Sequence, residues 1–122
     1  MGEKIIGILG GMGPEATADL YMRIIRATPV EKDQDHYRII IDSNAKIPDR
    51  TPAILGAGPS PLPMMLETGR NLQRAGADFI IMPCNTAHHY HSQLQEGLEV
   101  PVLHMIRLSA EYTRRSHPGV DK

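Results

Sequence analysis

Tryptophan is absent from this 122-residue chain and phenylalanine occurs once, so aromatic stacking cannot build its core. Isoleucine, leucine, methionine, valine and alanine must fill it instead. A second cysteine is absent too, which excludes an internal disulfide and makes a reducing, cytoplasmic setting the expectation. No apolar run approaches the ~20 residues of a membrane span, and the stretch after Met1 is too short for a secretory signal. Neither sign of charge dominates. A formal net charge of −1 argues against a nucleic-acid or anionic-membrane partner, which would call for a basic patch. What remains is enough chain for one compact core, expected as a single domain over residues 1–122.

Strand and helix patterns alternate along it. Lys4 to Leu9 is a short β-branched run ended by Gly10-Gly11-Met12-Gly13. Pro14 suits a first helical position, where its missing N–H costs nothing, and an apolar stripe continues to about Ala27. Tyr37 to Ile41 reads as a second strand, broken by Asp42-Ser43-Asn44. Residues 45 to 62 are rich in proline and glycine and read as a long functional or mobile loop, with one helical turn near Arg50 to Leu55. Leu62 to Ala75 reads as a helix stopped by Gly76. Further strands are expected at Asp78 to Met82 and Val100 to His104, the latter interrupted by Pro101. Further helices are expected at Thr86 to Gln95 and Met105 to Arg115. Ser116-His-Pro-Gly119 closes the last helix, and Val120 looks like the start of another strand. This alternation implies a flavodoxin-like, doubly wound parallel sheet of about four strands in the order 2-1-3-4.

The single cysteine, Cys84, follows an apolar run ending at Pro83 and precedes Asn85-Thr86, which looks like a helix start. Ligand sites in open α/β sheets lie at strand carboxyl ends. The N–H groups and dipole of a helix start favour negative charge, so a thiolate there is easier to form, and only the thiolate acts as base or nucleophile. The bland alternative is a buried filler thiol.

Three other features carry possible chemistry. Gly11-Met-Gly-Pro-Glu-Ala16 matches the dinucleotide pattern G-x-G-x-x-A after a strand. However, Pro14 removes an N–H where a pyrophosphate would sit, and Asp42 comes late for a ribose-binding carboxylate. The same loop could cradle a small carboxylate instead. Arg50 could clamp a carboxylate through two parallel bonds, or be a solvated loop residue. His88 and His91 share a helix face, but without a second motif they define no metal site, and none is assigned.

Taken in order, Ile8-Leu-Gly-Gly-Met-Gly-Pro-Glu-Ala-Thr17, Ile47-Pro-Asp-Arg-Thr51, Ala75-Gly-Ala-Asp78, Pro83-Cys-Asn-Thr-Ala-His88 and Pro101-Val-Leu-His104 resemble the aspartate/glutamate racemase family. That resemblance implies isomerases that need no cofactor, built from two pseudo-symmetric flavodoxin-like domains with the substrate between them. Each domain supplies one cysteine. One thiolate removes the α-proton and the other thiol returns a proton on the opposite face. The resemblance makes Cys84 one acid/base group and Asn85 and Thr86 ligands of the α-carboxylate or amino group. It also makes Met12 and Gly13 part of the pocket lining and Arg50 the partner of an acidic side chain.

The departure from the family is length. Its members are almost twice as long, and the second cysteine belongs to their second half. This chain looks like the N-terminal domain alone, expected to be inactive by itself and prone to self-association, for example as a homodimer, through surface that a second half would cover. The alternatives are a nucleotide-binding module using residues 11–16 and a non-catalytic fragment.

Overall fold

The first strand, β1 (Ile6–Gly10), is buried at every position. A strand covered on both faces needs an apolar run rather than an alternating one, and Ile-Gly-Ile-Leu-Gly supplies it. The structure, a computed structural model, describes residues 3–105. In it β1 pairs in parallel with β2 (Ile39–Ser43) on one side and β3 (Phe79–Ile81) on the other. The order is therefore β2-β1-β3, and an isolated parallel bridge from Ile80 to Val102 puts a fourth segment beside β3. The arrangement is flavodoxin-like, as expected. The fourth strand, however, is reduced to that bridge. Pro101 has no N–H to donate, so the ladder is cut to two bonds, from Ile80 N–H to the Pro101 carbonyl and from Leu103 N–H to the Ile80 carbonyl, both at 2.9 Å, and side-chain amides hold the rest. The Gln95 amide binds the N–H of Val102 at 2.7 Å and the carbonyl of Val100 at 2.9 Å. The Gln73 carbonyl oxygen accepts from Glu99 N–H at 2.7 Å and Val100 N–H at 3.2 Å.

Successive strand residues point to opposite faces, which divides the core in two. Ile6, Ile8 and Ile81 face α1 (Pro14–Ala27), where Leu20 and Ile24 pack on them. Leu9, Ile80 and Met82 face the other way, onto Met65 and Leu72 of α3 (Leu62–Ala75) and Leu94 of α4 (His91–Glu96). Burying each such aliphatic side chain is worth roughly 1.5–3 kcal/mol relative to exposure. At the crossing of α3 with the α4 end, Gly69 and Gly97 leave room for Leu98 and Leu66. A Cβ on either would lie within 3 Å of those side chains.

The limits of α3 match the expectation, and the reasons are local. The Ser60 hydroxyl accepts from Leu62 N–H at 3.1 Å at its start. Gly76 ends it in the left-handed region at φ 106°. Elsewhere the boundaries move. β1 begins at Ile6 rather than Lys4, and β2 runs from Ile39 to Ser43 rather than from Tyr37 to Ile41. Asp42 and Ser43 therefore belong to β2 rather than breaking it. The long loop carries a short helix, α2 (Arg50–Ile54), and a 3-10 turn, Asp33–Asp35, precedes β2. The helix expected from Thr86 is a 3-10 turn, Thr86–Tyr90, followed by α4. The helix expected over Met105 to Arg115, its closing turn and the strand start at Val120 lie, Met105 apart, outside the described residues. No helix among the described residues is long and apolar enough to cross a membrane.

Candidate functional site

Because β1 and β3 are parallel neighbours, the loops that follow them emerge at the same carboxyl edge of the sheet. The loop after β3 presents Cys84. Its side chain is half-buried, resting on the α3-side core that also contains Met12, Met65 and Met82. The thiol is thus neither sealed nor loose. Its Sγ lies 3.4 Å from the Thr86 hydroxyl. Asn85 and Thr86 are exposed, and the Asn85 side chain makes no hydrogen bond among the described residues. Only its backbone is used, its carbonyl accepting from His88 N–H at 3.1 Å. The helix start beside the thiol is this short 3-10 turn rather than a full α-helix, so the dipole behind it is small.

Helix α2 packs against the Thr86–Tyr90 turn, which brings the segment carrying Arg50 to the Cys84 loop. Arg50 donates through one terminal nitrogen to the Pro48 carbonyl at 3.2 Å. Its Nε is buried and has no hydrogen-bond partner among the described residues. A buried guanidinium N–H without an acceptor is costly, and a ligand carboxylate is the group that would satisfy it.

One amide of the glycine loop is already spent within the loop. The Gly11 N–H donates to the Thr17 hydroxyl at 2.9 Å, and that hydroxyl donates to the Gly13 carbonyl at 3.0 Å. The Gly11 amide is therefore consumed inside the loop. Gly11 has φ 95°, and a Cβ there would lie 2.3–2.4 Å from the backbone of Asn44. Asn44 is itself braced: its N–H donates to the Gly10 carbonyl at 3.1 Å, and its amide donates to the Thr68 hydroxyl at 2.9 Å. The side chain of Met12 is 4 % exposed and belongs to the core, so only its backbone can face a ligand. Gly13 is exposed, and a Cβ there would point into open space, with no heavy atom within 4 Å. The dinucleotide fingerprint also fails in its packing. Close approach falls between Gly10 and Thr17, where a Cβ would sit 2.5 Å from the threonine, while Ala16 is exposed.

His88 is buried at 6 % exposure. One ring nitrogen, Nδ1, lies 2.8 Å from the Cys84 carbonyl, and the other, Nε2, lies 3.2 Å from the Met105 N–H. The His104 ring sits 5.2 Å from that of His88 and 4.8 Å from that of His91. Sequence reasoning missed the bonds of His88 and the roles of Thr17, Asn44 and Thr68, because nothing periodic marks them. The one available signal was the polar run Asp42-Ser43-Asn44 at a strand end. Among the described residues no group of three or more His, Cys, Asp or Glu is placed to hold a metal. A cavity of about 350 Å³ lies by α1 and the start of β2, lined by Tyr21, Ile24, Asp33, His36 and Tyr37 among others. It shares no residue with the Cys84 loop, Arg50 or the glycine loop.

Fold and site together define an α/β domain that carries a half-open thiol at a topological switch point. The chain matches the Asp/Glu/Hydantoin racemase family over residues 9–120 and belongs to that family. It is 33 % identical over 114 residues to the broad specificity amino-acid racemase RacX of Bacillus subtilis (strain 168), covering 84 % of this chain and 46 % of that protein. An aspartate racemase structure from Picrophilus torridus matches with a TM-score of 0.84 at 35 % identity, covering 94 % of this chain and 49 % of the other. An aspartate racemase homologue from Pyrococcus horikoshii OT3 matches with a TM-score of 0.80 at 27 % identity, covering 94 % and 50 %. The chain thus spans about half the length of the relatives it matches.

Proposed function

We propose that this domain forms one wall of an amino-acid racemase site for aspartate, glutamate or a close relative, with Cys84 as one of two proton-transfer groups. The carrying observation is convergence. A half-buried thiol with Thr86 beside it leads into the Thr86–Tyr90 turn, and on that turn packs the helix bearing Arg50, whose buried Nε has no partner among the described residues. Arg50 takes the side-chain carboxylate, Asn85 and Thr86 take the α-carboxylate or amino group, and the Met12–Gly13 backbone closes the glycine side. Broad amino-acid specificity, named for one relative, is the alternative outcome for Arg50.

The chemistry needs no cofactor. The Cys84 thiolate takes the α-proton, forming S–H as C–H breaks, and the electron pair stays on the α-carbon and its carboxylate. Hydrogen bonds to that carboxylate stabilise the developing charge. A thiol on the opposite face then gives its proton to the α-carbon. One base on one face would only return the starting enantiomer, so inversion requires the second thiol. Cys84 is the sole cysteine here, so the second thiol comes from outside these 122 residues. Residues 1–122 act as the N-terminal one of two such domains. Self-association is part of the proposal, since apolar surface that a second domain would cover favours association. A reducing cytoplasm suits a working thiol.

Chiral chromatography of D- and L-aspartate and glutamate incubated with the pure 122-residue chain tests the two-thiol requirement. No inversion is expected. Inversion at a rate proportional to chain concentration, lost in Cys84→Ser, would show that one copy of this wall suffices and would overturn it.

A further inference from the structure

We propose that His88 is a positioning residue for Cys84: a neutral imidazole that clamps the thiol-bearing loop to the segment leading out of the fourth strand position. This rests on reading Cys84 as a proton-transfer group. The argument starts from what each bonded atom can do. The Cys84 carbonyl oxygen has lone pairs and no proton, so at 2.8 Å the Nδ1 of His88 must carry the hydrogen. The Met105 backbone nitrogen has a proton and no free lone pair, so at 3.2 Å the Nε2 must be bare. Together these two bonds admit one form of the ring, the neutral Nδ1–H tautomer. The other tautomer would lose both bonds. An imidazolium would lose the one to Met105.

The clamp reaches from His88 to a residue 17 positions away. On the near side it fixes the carbonyl of Cys84 and so the direction in which that residue projects its side chain. On the far side it holds the backbone just past the Ile80–Val102 bridge. A second imidazole reinforces the joint: His91 Nε2 donates to the Val102 carbonyl at 2.5 Å. The rings of both His88 and His91 pack against His104. Side-chain placement at a reacting centre is sensitive to such support, because ångström-scale displacement of a reacting group can cost large factors in rate. A core histidine that merely filled space would need neither bond.

Two substitutions separate the two ends of the clamp. In His88→Asn the side-chain amide nitrogen occupies the place of Nδ1 and can still donate to the Cys84 carbonyl, but nothing reaches Met105. In His88→Gln the amide reaches the position of Nε2, where its oxygen can accept from Met105, and the bond to Cys84 is lost. The readout is the rate at which iodoacetamide alkylates Cys84 in the folded 122-residue chain. The expected result is that Gln and Ala, which release the Cys84 carbonyl, raise the rate by about threefold to tenfold, the scale of one lost hydrogen bond, while Asn, which releases only the Met105 end, raises it by a smaller factor of about two to three. Equal rates in Asn and Gln, with both chains folded by circular dichroism, would overturn the proposal.

Nitrogen-15 NMR of the wild-type chain supplies a measurement that needs no variant. The His88 ring is expected to show a protonated Nδ1 and a bare Nε2. A bare Nδ1 would overturn the proposal even if every variant failed to fold. Neither readout requires catalysis. Should aspartate fail to bind near Cys84 in the wild type, the racemase reading falls, while the Asn–Gln difference still decides the clamp.

Discussion

The loops after β1 and β3 occupy equivalent places, side by side at the carboxyl edge of the sheet, yet they spend their polar groups in opposite ways. The glycine loop turns inward. Gly11 N–H, the Thr17 hydroxyl and the Gly13 carbonyl satisfy one another, and Asn44 binds Gly10 from behind. The Cys84 loop occupies two backbone carbonyls, those of Cys84 and Asn85, with His88, and leaves a half-buried thiol beside the Thr86 hydroxyl and an exposed Asn85 side chain. Position at a switch point thus marks where chemistry can sit. The hydrogen bonds say which loop spends its polar side chains on its own support and, under the proposed function, which one would supply the reagent. The glycine-rich motif, the more conspicuous of the two in sequence, is the scaffold.

Substitutions can break that contrast. The largest effect is expected from Gly11→Ala. Its φ of 95° and the Asn44 backbone at 2.3–2.4 Å leave a methyl group no space, so the fold should lose upwards of about 3 kcal/mol in urea unfolding. A change under about 1 kcal/mol would mean that the loop yields to the added methyl group. Next comes a matched pair. Thr17→Val strips a buried acceptor from Gly11 and a donor from Gly13, and should cost about 1–3 kcal/mol. Thr86→Val, at an exposed position, should stay within about 0.5 kcal/mol in the same measurement while changing the alkylation rate of Cys84. Equal stability losses would erase the scaffold–reagent distinction. The smallest effect is expected at Gly13→Ala, where nothing lies within 4 Å and φ is −103°. Unfolding should shift by less than about 0.5 kcal/mol. A large loss there would restore a role for the middle glycine of the dinucleotide pattern.

Much of this was legible in the chain. The apolar stripe through Met65, Leu66, Gly69 and Leu72 and the stop at Gly76 gave α3 its limits, because caps and periodicity act within a few residues. The run Phe79–Ile81 followed by Pro83-Cys84 placed the thiol at a strand end for the same reason. What stayed hidden depends on bonds between residues distant in sequence. Gln73 and Gln95 hold residues 99–102 where the strand ladder is cut to two bonds. Asn44, which looked like a strand breaker, braces the glycine loop through Thr68. Glutamine and asparagine at such sites look like ordinary surface residues. At the other extreme, Arg23 and Asp19 form the i, i+4 pair that the sequence spacing permits, at 2.6 Å. The hydrogen bond that Arg23 donates to Asp19, then the charge of that carboxylate, raises the guanidinium above its ordinary pKa. Fully exposed, that pair decides nothing about the site.

The central claim is that Cys84 and Arg50 face one acidic amino acid from the same wall. Its most direct test is the iodoacetamide rate of Cys84 with and without saturating aspartate or glutamate, in the wild-type chain and in Arg50→Ala. Ligand should slow alkylation in the wild type and have no effect once the guanidinium is gone. Alkylation indifferent to ligand in the wild type, or protection that survives Arg50→Ala unchanged, would contradict it.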